Sequence, residues 1–142
     1  MDSPDMAATL EHLLDEKKAQ EITRIDLRGR SPFTDFFLIA TGTSETHVRS
    51  MAMEVDRFAS QAKIQGLGMA GMEAGQWVLI DLGDVVIHLF QRETRAFYNL
   101  EKLWSPESLA IDDQLANALP DQDGPRKASF QERLTSFQGG AA

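Results

Sequence analysis

The sequence predicts an α/β domain, a mixed β-sheet flanked by helices, in the order α-β-β-α-(β)-β-β-α. Two observations carry this expectation. Apolar residues recur at helical spacing in three segments, and between those segments lie strand-like alternations and short apolar runs bounded by turn residues. At 142 residues, 42% hydrophobic and 25% charged, the chain is long enough for one compact core and is composed like an ordinary folded domain.

The first helix is expected over residues 4–20, where Met6, Leu10, Leu13, Leu14 and Lys17 fall at helical spacing and Ser3 before Pro4 supplies an N-cap. Residues 22–28 alternate, with Thr23, Ile25 and Leu27 on one side and Arg24, Asp26 and Arg28 on a wet one. After a turn containing Pro32, residues 35–42 (DFFLIATG) form a short apolar run suited to a more central strand. Thr43 and Ser44 then offer cap chemistry for a long helix whose face is Val48, Met51, Ala52, Val55, Phe58, Ala59 and Ala62, ending near Gly66. Residues 66–75, with four glycines, read as a loop holding at most a short edge strand. A hairpin follows, residues 77–82 and 85–90 joined through Gly83. Thr94 is the expected cap of a last helix bearing Phe97, Leu100, Leu103 and Trp104, stopped by Pro106.

This closes the domain at residues 1–105. Residues 106–142 hold three of the five prolines and a DQDGP cluster, and they read as a flexible or weakly docked tail. Removing residues 107–142 is therefore expected to leave the domain folded. A large drop in melting temperature on truncation would instead assign Phe130, Leu134 and Phe137 to the core.

Composition narrows the function. With 22 acidic residues against 14 basic ones the net charge is -8, which repels a phosphate backbone and disfavours direct DNA or RNA binding. There is no cysteine, hence no disulfide, thiolate metal site or Cys nucleophile. The acidic N-terminal segment and the strand-length apolar runs read as no signal peptide, no transit peptide and no membrane span, so a cytoplasmic location is expected.

Several motifs resolve into structural readings. Gly66, Gly68 and Gly71 spell G-x-G-x-x-G, yet they follow a helix and precede a hairpin, the reverse of the dinucleotide context. His12, His47 and His88 are isolated, so neither a metal nor a cofactor is expected. Ser44 lacks the surroundings of a nucleophile and is better placed as a helix cap.

The hairpin WVLIDLGDVVIHLF is the informative element. With Leu82 and Gly83 at the turn centre, Asp81 opposes Asp84, Leu79 opposes Val86 and Trp77 opposes His88. One face is then Trp77, Leu79, Asp81, Asp84, Val86, His88 and Phe90. The other, Val78, Ile80, Val85, Ile87 and Leu89, is wholly apolar and belongs under helices. The mixed face is expected to look outward and, beside Tyr98 and Glu101 of the last helix, to bind another protein, since a flat face with an aromatic anchor and a carboxylate rim suits a macromolecule better than a small ligand.

Over residues 6–105 the chain resembles the ribosomal silencing factor family, RsfS, also called the Iojap family. The resemblance is carried by Lys18-Ala19, by Thr34-Asp35-Phe36-Phe37 with Ile39-Ala40-Thr41-Gly42-Thr43-Ser44, and by His47-Val48. Most specific are the hairpin from Gly75 through Phe90, then Arg95 and Phe97-Tyr98-x-Leu100-Glu101-x-Leu103-Trp104. Ala70 departs from the family, which commonly has Glu there. The resemblance implies a nucleotidyltransferase-like fold without a catalytic role. It also implies binding to the large ribosomal subunit through ribosomal protein L-fourteen, steric blocking of subunit joining, and repression of translation under nutrient limitation; it allows a homodimer. Two other classes stand beside it. A nucleotidyltransferase-like enzyme would need an Asp-x-Asp pair, whereas Asp56 is followed by Arg57 and Phe58. A self-associating scaffold would use the same outward face.

Overall fold

A computed structural model of the chain describes residues 1–103. Trp104 and the tail positions considered above lie outside the described residues. The elements are α1 (Ser3–Glu16), β1 (Gln20–Asp26), β2 (Phe36–Gly42), α2 (Glu45–Gln61), β3 (Gly68–Ala70), β4 (Trp77–Asp81), β5 (Val85–Gln91), α3 (Arg92–Tyr98) and α4 (Leu100–Leu103). The five strands form one sheet in the order β1-β2-β5-β4-β3. Only β2 and β5 run parallel; every other pair is antiparallel, so the sheet is mixed as expected.

Cap chemistry sets the helix limits. Asp2, not Ser3, caps α1: its carboxylate accepts from the Asp5 N–H at 2.9 Å, and a charged acceptor there also complements the positive end of the helix dipole. The helix stops at Glu16 instead of residue 20 because Lys18 turns into the left-handed region, φ +64°. Ser44 caps α2 as predicted, accepting from the His47 N–H at 3.0 Å. Thr94 caps nothing; it lies inside α3, which begins at Arg92. Asn99, at φ +49°, breaks the last helix in two, so the helical spacing of Phe97 and Leu100 does not place them on a single face.

The central strands β2, β4 and β5 are buried on both sides, and the edge strands β1 and β3 are partly exposed. Phe36, Leu38, Ala40, Val78, Ile80, Val85, Ile87 and Leu89 face α1 and α2, meeting Leu10, Leu14, Val48, Met51 and Val55. This is the helix-covered face predicted for the hairpin. Phe37, Ile39, Leu79, Val86 and Phe90 form a second core on the other side with Leu27 and Leu100, edged by Ile25, Phe33 and Trp77.

The glycine-rich stretch is structural. Gly71 sits at φ +90°, and a Cβ there would fall 1.9 Å from the Trp77 carbonyl oxygen. Only glycine admits that approach. It lets the backbone pass directly over the start of β4, and β3 pairs with the rest of that strand.

Candidate partner-binding surface

The hairpin register differs from the expectation by two residues. Trp77 pairs with Phe90, Leu79 with His88 and Asp81 with Val86. The turn centre is Gly83-Asp84, closed by Leu82 N–H donating to the Val85 carbonyl at 3.0 Å, with Gly83 at φ +88°. A slip of two preserves the faces. Asp84 leaves the strand face and sits in the turn.

The predicted outward face is largely interior. Leu79, Asp81, Val86, His88 and Phe90 are all fully buried. Strand alternation distinguishes the two faces of a sheet but does not reveal that a second layer, built from residues around Leu27, Phe33 and Leu100, covers the mixed one. Asp81 is accommodated there by an Asx turn, its Oδ1 accepting from the Gly83 N–H at 2.9 Å. Asp81 and Asp84 also stand at the opposite end of the hairpin from Trp77, about 13 Å away along the strand. The nine predicted positions therefore do not form one surface.

What is brought together is an aromatic step at the start of β4. Trp77, half-buried, packs against Phe90 with ring centroids 4.9 Å apart and against Tyr98 at 4.6 Å. Tyr98 in turn meets Phe97 edge-on at 5.1 Å. Phe97 is 81% exposed and Tyr98 36%. Phe97, at helical spacing from Leu100 in the sequence, is turned outward by the short α3 while Leu100 is buried. Because the Trp77, Tyr98 and Phe97 rings touch in series, they form a contiguous aromatic patch, the type of feature that marks a contact surface. The Phe97-Tyr98 pair is its signal in the sequence, masked by a helical spacing that runs on across the break at Asn99.

Beside the aromatic step lies a buried guanidinium. Arg95 donates through Nη1 to the Glu21 carbonyl at 2.6 Å and to Thr41 Oγ1 at 2.8 Å, through Nη2 to Thr23 Oγ1 at 3.0 Å and through Nε to Glu101 Oε1 at 2.6 Å. Glu21 lies in an irregularity of β1, between the Gln20 and Thr23 pairings, at φ +50°. Arg95 thus ties α3 and α4 to β1 and β2. Glu101, predicted as a partner contact, is half-exposed and serves this network.

The histidines have separate structural roles. His12 pairs with Glu16 at 2.9 Å on an exposed helix face. His47 spans two elements, its Nδ1 accepting from the Thr43 N–H at 2.9 Å and its Nε2 contacting the Lys17 carbonyl at 2.8 Å. His88 is buried, and burial pushes its pKa down from 6.5 to about 3. Below pH 6.5 the unfolded chain takes up a proton that the folded chain refuses, so this contribution to stability is intact above 6.5 and is lost as pH falls toward 3. Between pH 8 and 5 the loss is expected to reach about 2 kcal/mol. Denaturant melts at the two pH values check this, and His88→Leu should remove that part of the dependence.

A cavity of about 400 Å³ opens at the C-terminal ends of the parallel strands and is lined by Gln20, Gly42, Thr43, Gln76, Gln91, Arg92, Glu93 and Thr94. Arg92 already donates to Gln20 Oε1 at 2.6 Å within it. Among the described residues no three His, Asp or Glu side chains converge as a metal site.

A family model described as "Ribosomal silencing factor during starvation" matches residues 1–137. The chain belongs to the ribosomal silencing factor family. The match reaches well past residue 105, where the resemblance read from the sequence ended. A Bacillus subtilis ribosomal silencing factor is 44% identical over 96 residues, covering 68% of this chain and 81% of its own. A crystal structure of a Bacillus halodurans protein is 42% identical, covering 71% of this chain and 94% of that one with a TM-score of 0.66. A mouse protein named for mitochondrial assembly of the ribosomal large subunit is 36% identical over 107 residues, 73% of this chain and 46% of its own length. Within the silencing factor family, then, this chain displays aromatic side chains at one end of its hairpin and buries the rest of the mixed face. Among the described residues no helix is long and apolar enough to cross a membrane.

Proposed function

We propose that the chain docks on the large ribosomal subunit through ribosomal protein L-fourteen and sterically blocks joining of the small subunit, repressing translation under nutrient limitation. The observation that carries this reading is the exposed aromatic step of Trp77, Tyr98 and Phe97 in a member of the silencing factor family. Aromatic side chains held in place beforehand make efficient anchors, because little rotamer freedom is lost when they are covered. The name of the mouse relative supports the large subunit as the side engaged. The net charge of -8 supports a basic ribosomal protein as the direct contact in preference to ribosomal RNA. Such a protein acts by occupying space, in the cytoplasm, and not by catalysis. A second copy of this chain would compete for the same step.

Subunit joining followed by light scattering tests the mechanism. Saturating protein should suppress joining, and free L-fourteen should relieve the suppression. Unaffected joining would reject it.

A further inference from the structure

The second core holds one polar side chain that its surroundings do not require. His88 is fully buried among Phe37, Phe90 and Trp77, with ring centroids 4.6, 6.2 and 5.9 Å from its own. Its Nδ1 accepts from the Trp77 indole N–H at 3.1 Å, which fixes the imidazole proton on Nε2 because the indole can only donate. Among the described residues Nε2 has no partner. A buried donor left without an acceptor is a cost that Leu or Phe at this position would avoid. What an apolar residue could not do is accept from Trp77.

We propose that His88 is a positioning residue for docking: by accepting the Trp77 N–H inside the core, it fixes the indole plane and leaves the apolar ring to meet the partner. This rests on the docking reading above. Trp77 is the hinge of the aromatic step, packed between Phe90 inside and Tyr98 outside. Without that acceptor, nothing polar would hold the indole in the one orientation in which it packs on both Phe90 and Tyr98. The hydrogen bond thus makes one rotamer of Trp77 the bound and the free one alike, which spares the complex an ordering cost.

His88→Leu removes the acceptor, and His88→Asn restores one, since Asn Oδ1 sits on the same Cγ as the imidazole Nδ1. Two readouts separate positioning from packing: the Trp77 indole N–H resonance, assigned with Trp77→Phe, and affinity for purified large subunits. His88→Leu should displace the resonance and weaken binding about tenfold, and His88→Asn should recover most of both. Equal loss of binding in the two variants, or unchanged binding in His88→Leu, would overturn the proposal. Failure of the unmutated protein to bind large subunits, with the resonance still responding to His88→Leu, would identify the docking reading as the error and remove the proposal with it.

Discussion

Phe90→Ala should lower the free energy of unfolding by about 3–5 kcal/mol, the usual range for truncating a buried Phe. Phe90 is fully buried in the second core, against Trp77 and His88, and pairs with Trp77 across the hairpin. Ile87→Ala, on the opposite face under α1 and α2, should cost about 2–5 kcal/mol for the same reason. Both faces therefore respond through stability. Denaturant melts of the two variants decide the matter: a loss below about 1 kcal/mol for Phe90→Ala would return this face to solvent, where single truncations cost little. Asp81→Lys belongs to the same test, because Asp81 is buried and its replacement acts on folding before it can act on docking.

Trp77→Ala should weaken large-subunit binding by about 2 kcal/mol, roughly thirtyfold, if the indole is a desolvated anchor. Some stability will be lost with it, since Trp77 also covers Phe90 and donates to His88. Phe97→Ala separates the two effects. At 81% exposure Phe97 contributes little to the core, so its removal should leave the melting temperature unchanged while reducing affinity. Titrations of large subunits with each folded variant measure this. Full affinity in both variants would move the contact elsewhere on the molecule.

Much of the fold was legible because period and caps act locally. The apolar run from Phe36 to Gly42, the α2 face with its Ser44 cap, and the two hairpin strands each announce themselves within a few residues. The limits of α1 and α3 depended on finer competition: Asp2 out-competes Ser3 as the cap, and Asn99 interrupts a pattern that otherwise looks continuous. The site was less legible. Alternation grouped Trp77, Leu79, Asp81, Val86, His88 and Phe90 correctly on one face, and a two-residue error in register did not disturb that grouping. Whether the face meets water or a second layer depends on long-range packing by Leu27, Phe33 and Leu100, which no local pattern encodes. Arg95 was visible as a motif residue, but its four acceptors come from segments up to 74 positions away.

The most direct measurement is co-sedimentation of the purified protein with separated ribosomal subunits. The account predicts stoichiometric association with the large subunit, none with the small one, and weakened large-subunit association in Trp77→Ala and Phe97→Ala. Equal association with both subunits, or with neither, would contradict it.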